Sequence, residues 1–353
     1  MKPRCYDYHP TVDRTDNRID DRSTIGPLYR QLQWTPDQNG RGPLRRTRSW
    51  ARTVKHLKAS HPELSNRLIR ISNRVGHRLE PLELVRDLPL SYWTGLTHRR
   101  DLTQVEKYAL FVGYSRSGHS LVGALLNAHP NMVFGQGFNA LRYVAAGFRR
   151  IQLYGLILRA DQRYERRGRT SYKGKYNYGV PGQWQGRYTA IRVIGNKRGE
   201  PTTRMLERDP ALLERLGRLV GVPVYVIHVI RNPYDNVTAI ARRRMSLPEA
   251  IKRYFERCAT IDRVRQAAPP GRWFDLRHED LVADAQRAMR ELCTFLDVDV
   301  DESYVRACAS IVRSSPHRAR TEADWTPELI AQVAERMTAY RFLDGYSYDE
   351  DTL

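Results

Sequence analysis

The stretch Tyr108–Pro130, YALFVGYSRSGHSLVGALLNAHP, decides the fold. Its opening run, Tyr108 to Val112, is apolar without alternation, as suits a strand buried on both faces of a parallel sheet. Small and polar residues follow from Gly113 to Gly118. Ser120 to Asn127 then reads as a short apolar helix closed by His129-Pro130, because the residue before a proline is pushed out of the helical region. Strand, glycine loop and helix in that order form an anion cradle, since loop amides and the positive helix end face one point. Gly113, Gly118 and Ser120 stand where an ATP-binding loop, G-x-x-x-x-G-K-S/T, has its glycines and hydroxyl, but His119 replaces the lysine. A cation reappears inside the loop as Arg116. This displacement predicts a phosphate-like group held differently from the γ-phosphate of ATP.

A second anion site is expected at the end of the apolar run Val222–Ile230, VPVYVIHVI, which leads into Arg231-Asn232-Pro233. Asn232 suits an N-cap and Pro233 the first helical position, so a helix over Tyr234–Arg244 should begin beside Arg231. Nucleotide hydrolases tend to place a magnesium-holding Asp at this strand end, so an arginine there predicts direct, metal-free phosphate binding. Further strands are expected at Met132-Val133-Phe134, Tyr188–Ile194 and Trp273–Leu276. Helices are expected over Ala140–Gly168, Thr202–Val220, 283–296 and 302–312. Another runs from the capping box Ser246-x-x-Glu249 to Ala268, and a last one is capped by Thr326-Pro327. The alternation predicts an α/β fold, a parallel sheet flanked by helices in three layers with a nucleotide-kinase-like phosphate loop, and the site at the carboxyl edge of the strands.

The 353 residues include 59 Lys and Arg against 39 Asp and Glu, a formal net charge of +20. Such a surplus favours polyanionic partners without choosing among nucleotides, acidic glycans, nucleic acid or an anionic membrane face. Residues 1–104 are expected to form a basic N-terminal extension, poorly ordered or carrying docked helices, ahead of one α/β domain over 105–353. Within the extension Arg41–Lys58 has seven basic residues and no acidic one, a basic amphipathic segment or a solvated helix face. Residues 140–175 add ten Lys or Arg, and Ser171–Gly186 is a long aromatic loop suspected of binding. No apolar run reaches the ~18 residues of a membrane span and the N-terminus lacks a signal-peptide core, so a cytoplasmic protein is expected. Cys5, Cys258, Cys293 and Cys308 show neither C-x-x-C nor zinc-ligand spacing and are read as reduced; no metal is expected.

Together these motifs resemble the family of sulfotransferases that use 3'-phosphoadenosine 5'-phosphosulfate (PAPS). The family loop Y-P-K/R-S-G-T/H-S/T, which grips the 5'-phosphosulfate, is similar to Tyr114-Ser115-Arg116-Ser117-Gly118-His119-Ser120. Its R-D/N-P-x-D segment for the 3'-phosphate is similar to Arg231-Asn232-Pro233-Tyr234-Asp235. Looser landmarks are Glu279-Asp280-Leu281, Phe295-Leu296, and the basic Arg318 and Arg320 ahead of Trp325. The resemblance spans about 105–346. It implies PAPS as donor, with Ser115, Arg116, Ser117, Gly118, His119, Ser120, Arg231, Thr238, Arg318 and Arg320 contacting it, and Arg116 and Lys197 at the oxygen that leaves toward phosphate. Two positions depart from the family. Ala239 stands where relatives carry a Ser or Thr, with Thr238 one step early and hence about 100° round the helix. Gly137 stands where many relatives carry the glutamate that takes the acceptor proton. His119 is the remaining candidate base, while His129 and His228 read as structural.

Sulfuryl transfer to a hydroxyl or amine is therefore the leading expectation. An acidic acceptor such as a glycan is favoured, and a small alcohol or lipid stays open. The alternative is a binder of PAPS or of its product 3'-phosphoadenosine 5'-phosphate (PAP) with weak or no catalysis, because of Gly137. A phosphate-loop kinase ranks below both, and nucleic acid is not expected among the partners. The oligomeric state cannot be read from the sequence.

Overall fold

The computed structural model describes residues 4–5, 81–170, 176–242 and 245–349, with side chains from Asp87 onward. The basic segment Arg41–Lys58 and the start of the aromatic loop, 171–175, lie outside them. The chain divides into two compact units, Met1–Tyr6 with Ser91–Leu353, and Asp7–Leu90. Of the second, only the beginning of the helix Pro81–Thr97 is described.

Seven strands are present among the described residues: β1 (Arg4–Cys5), β2 (Lys107–Gly113), β3 (Met132–Gln136), β4 (Arg187–Tyr188), β5 (Val193–Lys197), β6 (Val224–Ile230) and β7 (Trp273–Arg277). Five of them form one sheet in the order β3-β5-β2-β6-β7, with every neighbouring pair parallel. All seven residues of β2 are buried, which explains why its sequence does not alternate. On one face Phe111, Phe134, Ile227 and Leu276 pack with Met289, Leu292 and Leu296 of helix Ala285–Leu296 and with Tyr304. On the other, Tyr114, Ile230 and Val237 pack with Tyr254 and Phe255 of the long helix Leu247–Ala267 and with Val333 of the last helix. The expected three layers are thus observed. No described helix is long and apolar enough to cross a membrane.

Four expected elements differ in extent. The strand read over Tyr188–Ile194 is two strands, because the backbone between them is tied to the loop at Pro130 and Asn131 (Thr189 N to Pro130 O, 2.9 Å; Arg192 N to Asn131 O, 3.0 Å) rather than to a sheet neighbour. The helix read over Thr202–Val220 breaks at Asp209-Pro210 into Gly199–Arg208 and Ala211–Val220, since proline opens a helix and does not continue one. The basic helix read over Ala140–Gly168 is interrupted around Gly147, giving Ala140–Ala145 and Arg150–Glu165. The helix after Arg231 runs over Pro233–Ala241 and is capped as expected by Asn232, whose side chain accepts from the Tyr234 amide at 3.0 Å. The capping box at Ser246 and Glu249 and the Thr326 cap also form.

Candidate active site

The chain leaves β2 at Gly113, whose φ of 136° only glycine adopts readily, and enters helix His119–Leu126 through Gly118 at φ 102°. Between them Arg116 sits at φ 73°, a left-handed conformation uncommon outside glycine, and its side chain is exposed. The hydroxyl of Ser115 donates to Glu200, which also takes the guanidinium of Arg253. Burial alone would raise the Glu200 pKa. The hydrogen bonds from Ser115 and Arg253 outweigh it and hold this carboxyl below the usual range.

His119 points into the protein. Its Nε2 lies 3.0 Å from the Val112 carbonyl and its Nδ1 2.9 Å from the Ser117 hydroxyl. A neutral ring that donates from Nε2 to the carbonyl has only a lone pair at Nδ1, which faces the Ser117 hydroxyl, itself 3.1 Å from the Tyr114 carbonyl, so both nitrogens are enclosed by loop atoms. Burial, with Lys197 and His228 nearby, pushes its pKa down to about 3. His119 is therefore a neutral strut of the loop, and the roles of acceptor base and side-chain nucleotide ligand expected for it are corrected accordingly. His129, bonded to the Asp299 carbonyl at 2.8 Å, and His228, paired with Asp275 at 2.8 Å, are structural as read.

Lys197, at the end of β5, extends over the loop helix and donates from Nζ to Ser120 Oγ at 2.6 Å. The path is open because residue 123 is glycine: a Cβ there would lie 2.6 Å from Lys197 Cγ. Burial and the neighbouring Arg198 push the Lys197 pKa down to about 8. Tyr178 also bonds Ser120, and burial raises its phenol pKa while Arg116 and Arg313 stand close enough to oppose the shift. Gly137 lies at the carboxyl end of β3 with φ 69° and nothing within 4 Å of where a Cβ would be. Its amide is bonded to the Lys197 carbonyl at 3.2 Å, and its own carbonyl accepts from Arg198 at 2.6 Å. Arg198 in turn feels Arg142. The cations Lys197, Arg198 and Arg142 thus lie around that strand end.

Arg231, at the end of β6, donates from Nη1 to the carbonyl of Arg116 at 3.3 Å and from Nη2 to the carbonyl of His317. The two arginines singled out from the sequence thus belong to one carboxyl edge. Arg231 is 8% exposed, Asp235 stands 3.9 Å away, and its Nε is buried without a hydrogen-bond partner among the described residues. A buried orphan donor of this kind fits a bound anion. Arg320 is only 2% exposed and donates to Asp235 through Nη1 (2.8 Å) and through its backbone amide to the other oxygen (2.8 Å). Through Asp235 it braces the Arg231 region. Thr238, expected to contact the donor, is buried and its hydroxyl oxygen accepts the Trp325 indole proton at 2.9 Å. Arg318 is exposed at the start of the short turn Ala319–Glu322. Below the loop, Glu279 accepts from the Asn232 amide (2.9 Å) and the Tyr346 hydroxyl (2.8 Å), and burial raises its pKa. Burial, with Arg231 beside it, lowers the pKa of His278 to about 4.

Glu200, Tyr178, Arg198 and His278 escaped the sequence reading. Local signals existed for three of them: Arg198 adjoins Lys197, Tyr178 lies in the aromatic loop suspected of binding, and His278 precedes the Glu279-Asp280-Leu281 landmark; Glu200 had none.

A model of the sulfotransferase family matches residues 110–302, more than half of the chain. No curated protein matches. Among solved structures, similarity is found to the sulfotransferase domain of the Synechococcus PCC 7002 olefin synthase (17% identity, 65% of this chain and 88% of that one, TM-score 0.36). It is also found to sulfotransferase STF9 from Mycobacterium avium (10% identity, 78% and 96%, TM-score 0.41) and to mouse sulfotransferase SULT7A1 complexed with PAP (12% identity, 71% and 90%, TM-score 0.36).

Proposed function

Because the chain belongs to the sulfotransferase family, we propose that it moves a sulfuryl group from PAPS to a hydroxyl or amine of an anionic acceptor, such as an acidic glycan, and releases PAP. The observation that carries the donor assignment is the hydrogen bond from Arg231 to the carbonyl of Arg116, which joins two cation sites 115 positions apart in sequence. PAPS bears two anionic clusters on one nucleotide and needs such a pair. In this reading the amides of Ser115 to Ser120 and the Arg116 side chain take the 5'-phosphosulfate, and Arg231 with Arg318 takes the 3'-phosphate. These cations meet the phosphate charge without a metal ion.

During transfer the acceptor oxygen or nitrogen forms a bond to sulfur while the bond from sulfur to the bridging oxygen breaks, and negative charge grows on that oxygen. Lys197, held on Ser120, and Arg116 are the donors that would stabilise it. With glycine at 137 and His119 turned inward, neither supplies a base. The acceptor then arrives ionised or gives its proton to water, and the rate follows the acceptor's own pKa. Arg142 and Arg198 beside Gly137 support an acidic acceptor.

The same missing base favours a second reading, a PAP or PAPS binder with little turnover. Calorimetric titration with PAP tests both, since no binding at micromolar ligand would dismiss them together. Labelled PAPS offered with a panel of acidic and neutral acceptors separates them: an acceptor gaining one sulfate establishes transfer, and binding without transfer establishes the second reading.

A further inference from the structure

On the flank of the phosphate loop, helices Gly199–Arg208 and Leu247–Ala267 border a cavity of about 290 Å³ lined by Arg204, Glu249, Lys252, Arg253, Glu256 and Arg257. Four cations meet two carboxylates there. Glu249 is engaged by the amide and hydroxyl of Ser246 in the capping box. Glu200 and Glu207, reaching in from the other helix, take Arg253 and Arg257. Burial lowers the pKa of Arg204, and Arg253, Arg208 and Arg257 lower it further while Glu200 opposes them. With Glu200 and Glu207 counted, four carboxylates balance the four cations, but Arg257 is only 8% exposed and its Nε is buried without a hydrogen-bond partner among the described residues, a donor that a bound anion would satisfy.

We infer that this cavity binds a small oxyanion, phosphate or a phosphate monoester, and that its occupancy weakens nucleotide binding at the phosphate loop. The link is a short relay. Arg253 donates to one oxygen of Glu200, and the other oxygen accepts the hydroxyl of Ser115 in the loop. An anion in the cavity competes with Glu200 for Arg253. Less neutralised, Glu200 then sets negative charge against the loop that has to hold the nucleotide's own anion. Linkage makes the antagonism reciprocal. Filling of the cavity is independent of the proposed function, whereas the coupling rests on it.

The test is calorimetry on the full chain, titrating inorganic phosphate, and in a second arm glucose 6-phosphate, into PAP-saturated protein with sodium chloride matching the ionic strength. Wild type should take up one equivalent of at least one of the two probes, and the one it takes identifies free phosphate or ester as the fitting form. The Kd for PAP should rise about fivefold and then level off as the probe saturates. The double variant Arg204→Gln, Lys252→Gln should lose the uptake and the plateau, leaving only the unbounded rise that competition at the loop produces. The charge-keeping pair Arg204→Lys, Lys252→Arg should retain both. Failure of wild type to take up either probe, or equal uptake by the double variant, overturns the site; uptake with an unchanged PAP affinity overturns the coupling. If PAP itself does not bind, the nucleotide reading falls, and the difference in probe stoichiometry between the free wild type and the double variant still decides the cavity.

Discussion

Arg231 and Arg116 are one hydrogen bond apart, yet they are held in opposite ways. Arg231 lies buried among Asp235, the His317 carbonyl and the start of helix Pro233–Ala241, with Arg320, Glu279 and Tyr346 locking those partners in place. Arg116 is exposed on a loop in a left-handed conformation, with Lys197, Arg198 and Gly137 beyond it along the sheet edge. The first region is fixed by packing and can hold a constant part of a ligand. The second is cationic and open, which suits a changing charge and a variable acceptor. A pre-built charge site costs little reorganisation when its ligand arrives, whereas a site for chemistry needs room for a second molecule.

The contrast can be broken most forcefully at Asp235. It is 1% exposed and is the carboxylate partner of buried Arg320, so Asp235→Ala should lower stability by about 3–5 kcal/mol in denaturant unfolding, the usual cost of stranding a buried charge. A loss below about 1 kcal/mol would mean that the region is not locked as described. Next, Arg231→Ala should weaken PAP binding by about 1–3 kcal/mol with the fold intact, read by calorimetry. Unchanged affinity would remove Arg231 from the donor site.

At the open end the expected effects fall on rate rather than on stability. Lys197→Met should slow transfer by about 10²-fold or more, with a smaller change in PAP affinity. Its pH behaviour sharpens the point. The cation is the stabilising form, so activity carried by Lys197 is present below pH about 8 and is lost as pH rises through it. Lys197→Arg, which does not titrate in that range, should abolish this descending limb. For stability the sign is reversed. A lysine whose folded pKa lies below its ordinary 10.5 costs the fold its desolvation penalty below about pH 8, and that cost disappears as pH rises from about 8 to 10.5. The smallest effect is expected for Gly137→Glu: the Cβ has open space, the positive φ costs about 1–2 kcal/mol of stability, and transfer should persist or rise. Lost transfer in the folded variant would show that this strand end is not where the acceptor proton leaves.

Much of this was legible from local sequence. The unbroken apolar runs of β2 and β6 announced strands covered on both faces, and the cap Asn232-Pro233 placed a helix directly after Arg231. The two helices read as continuous share one cause. Apolar periodicity continued across Asp209-Pro210 and across Gly147, although proline and a positive-φ glycine locally stop a helix. At the site, residue type identified cations but not their direction. His119 and Arg320 carry ligand-like chemistry in ligand-like positions, yet burial turns one against Val112 and the other against Asp235.

Neighbouring residues were enough to set the order of strands and helices, the arginines at two strand ends and the glycine at 137, because backbone preference, capping and motif spacing are local properties. Only the tertiary structure decided which charged groups face a ligand and which are consumed inside. That depends on partners such as Glu200, Asp235 and Trp325, which lie 85 to 87 positions from the residues they engage and are joined to them by the packing of helices on the sheet.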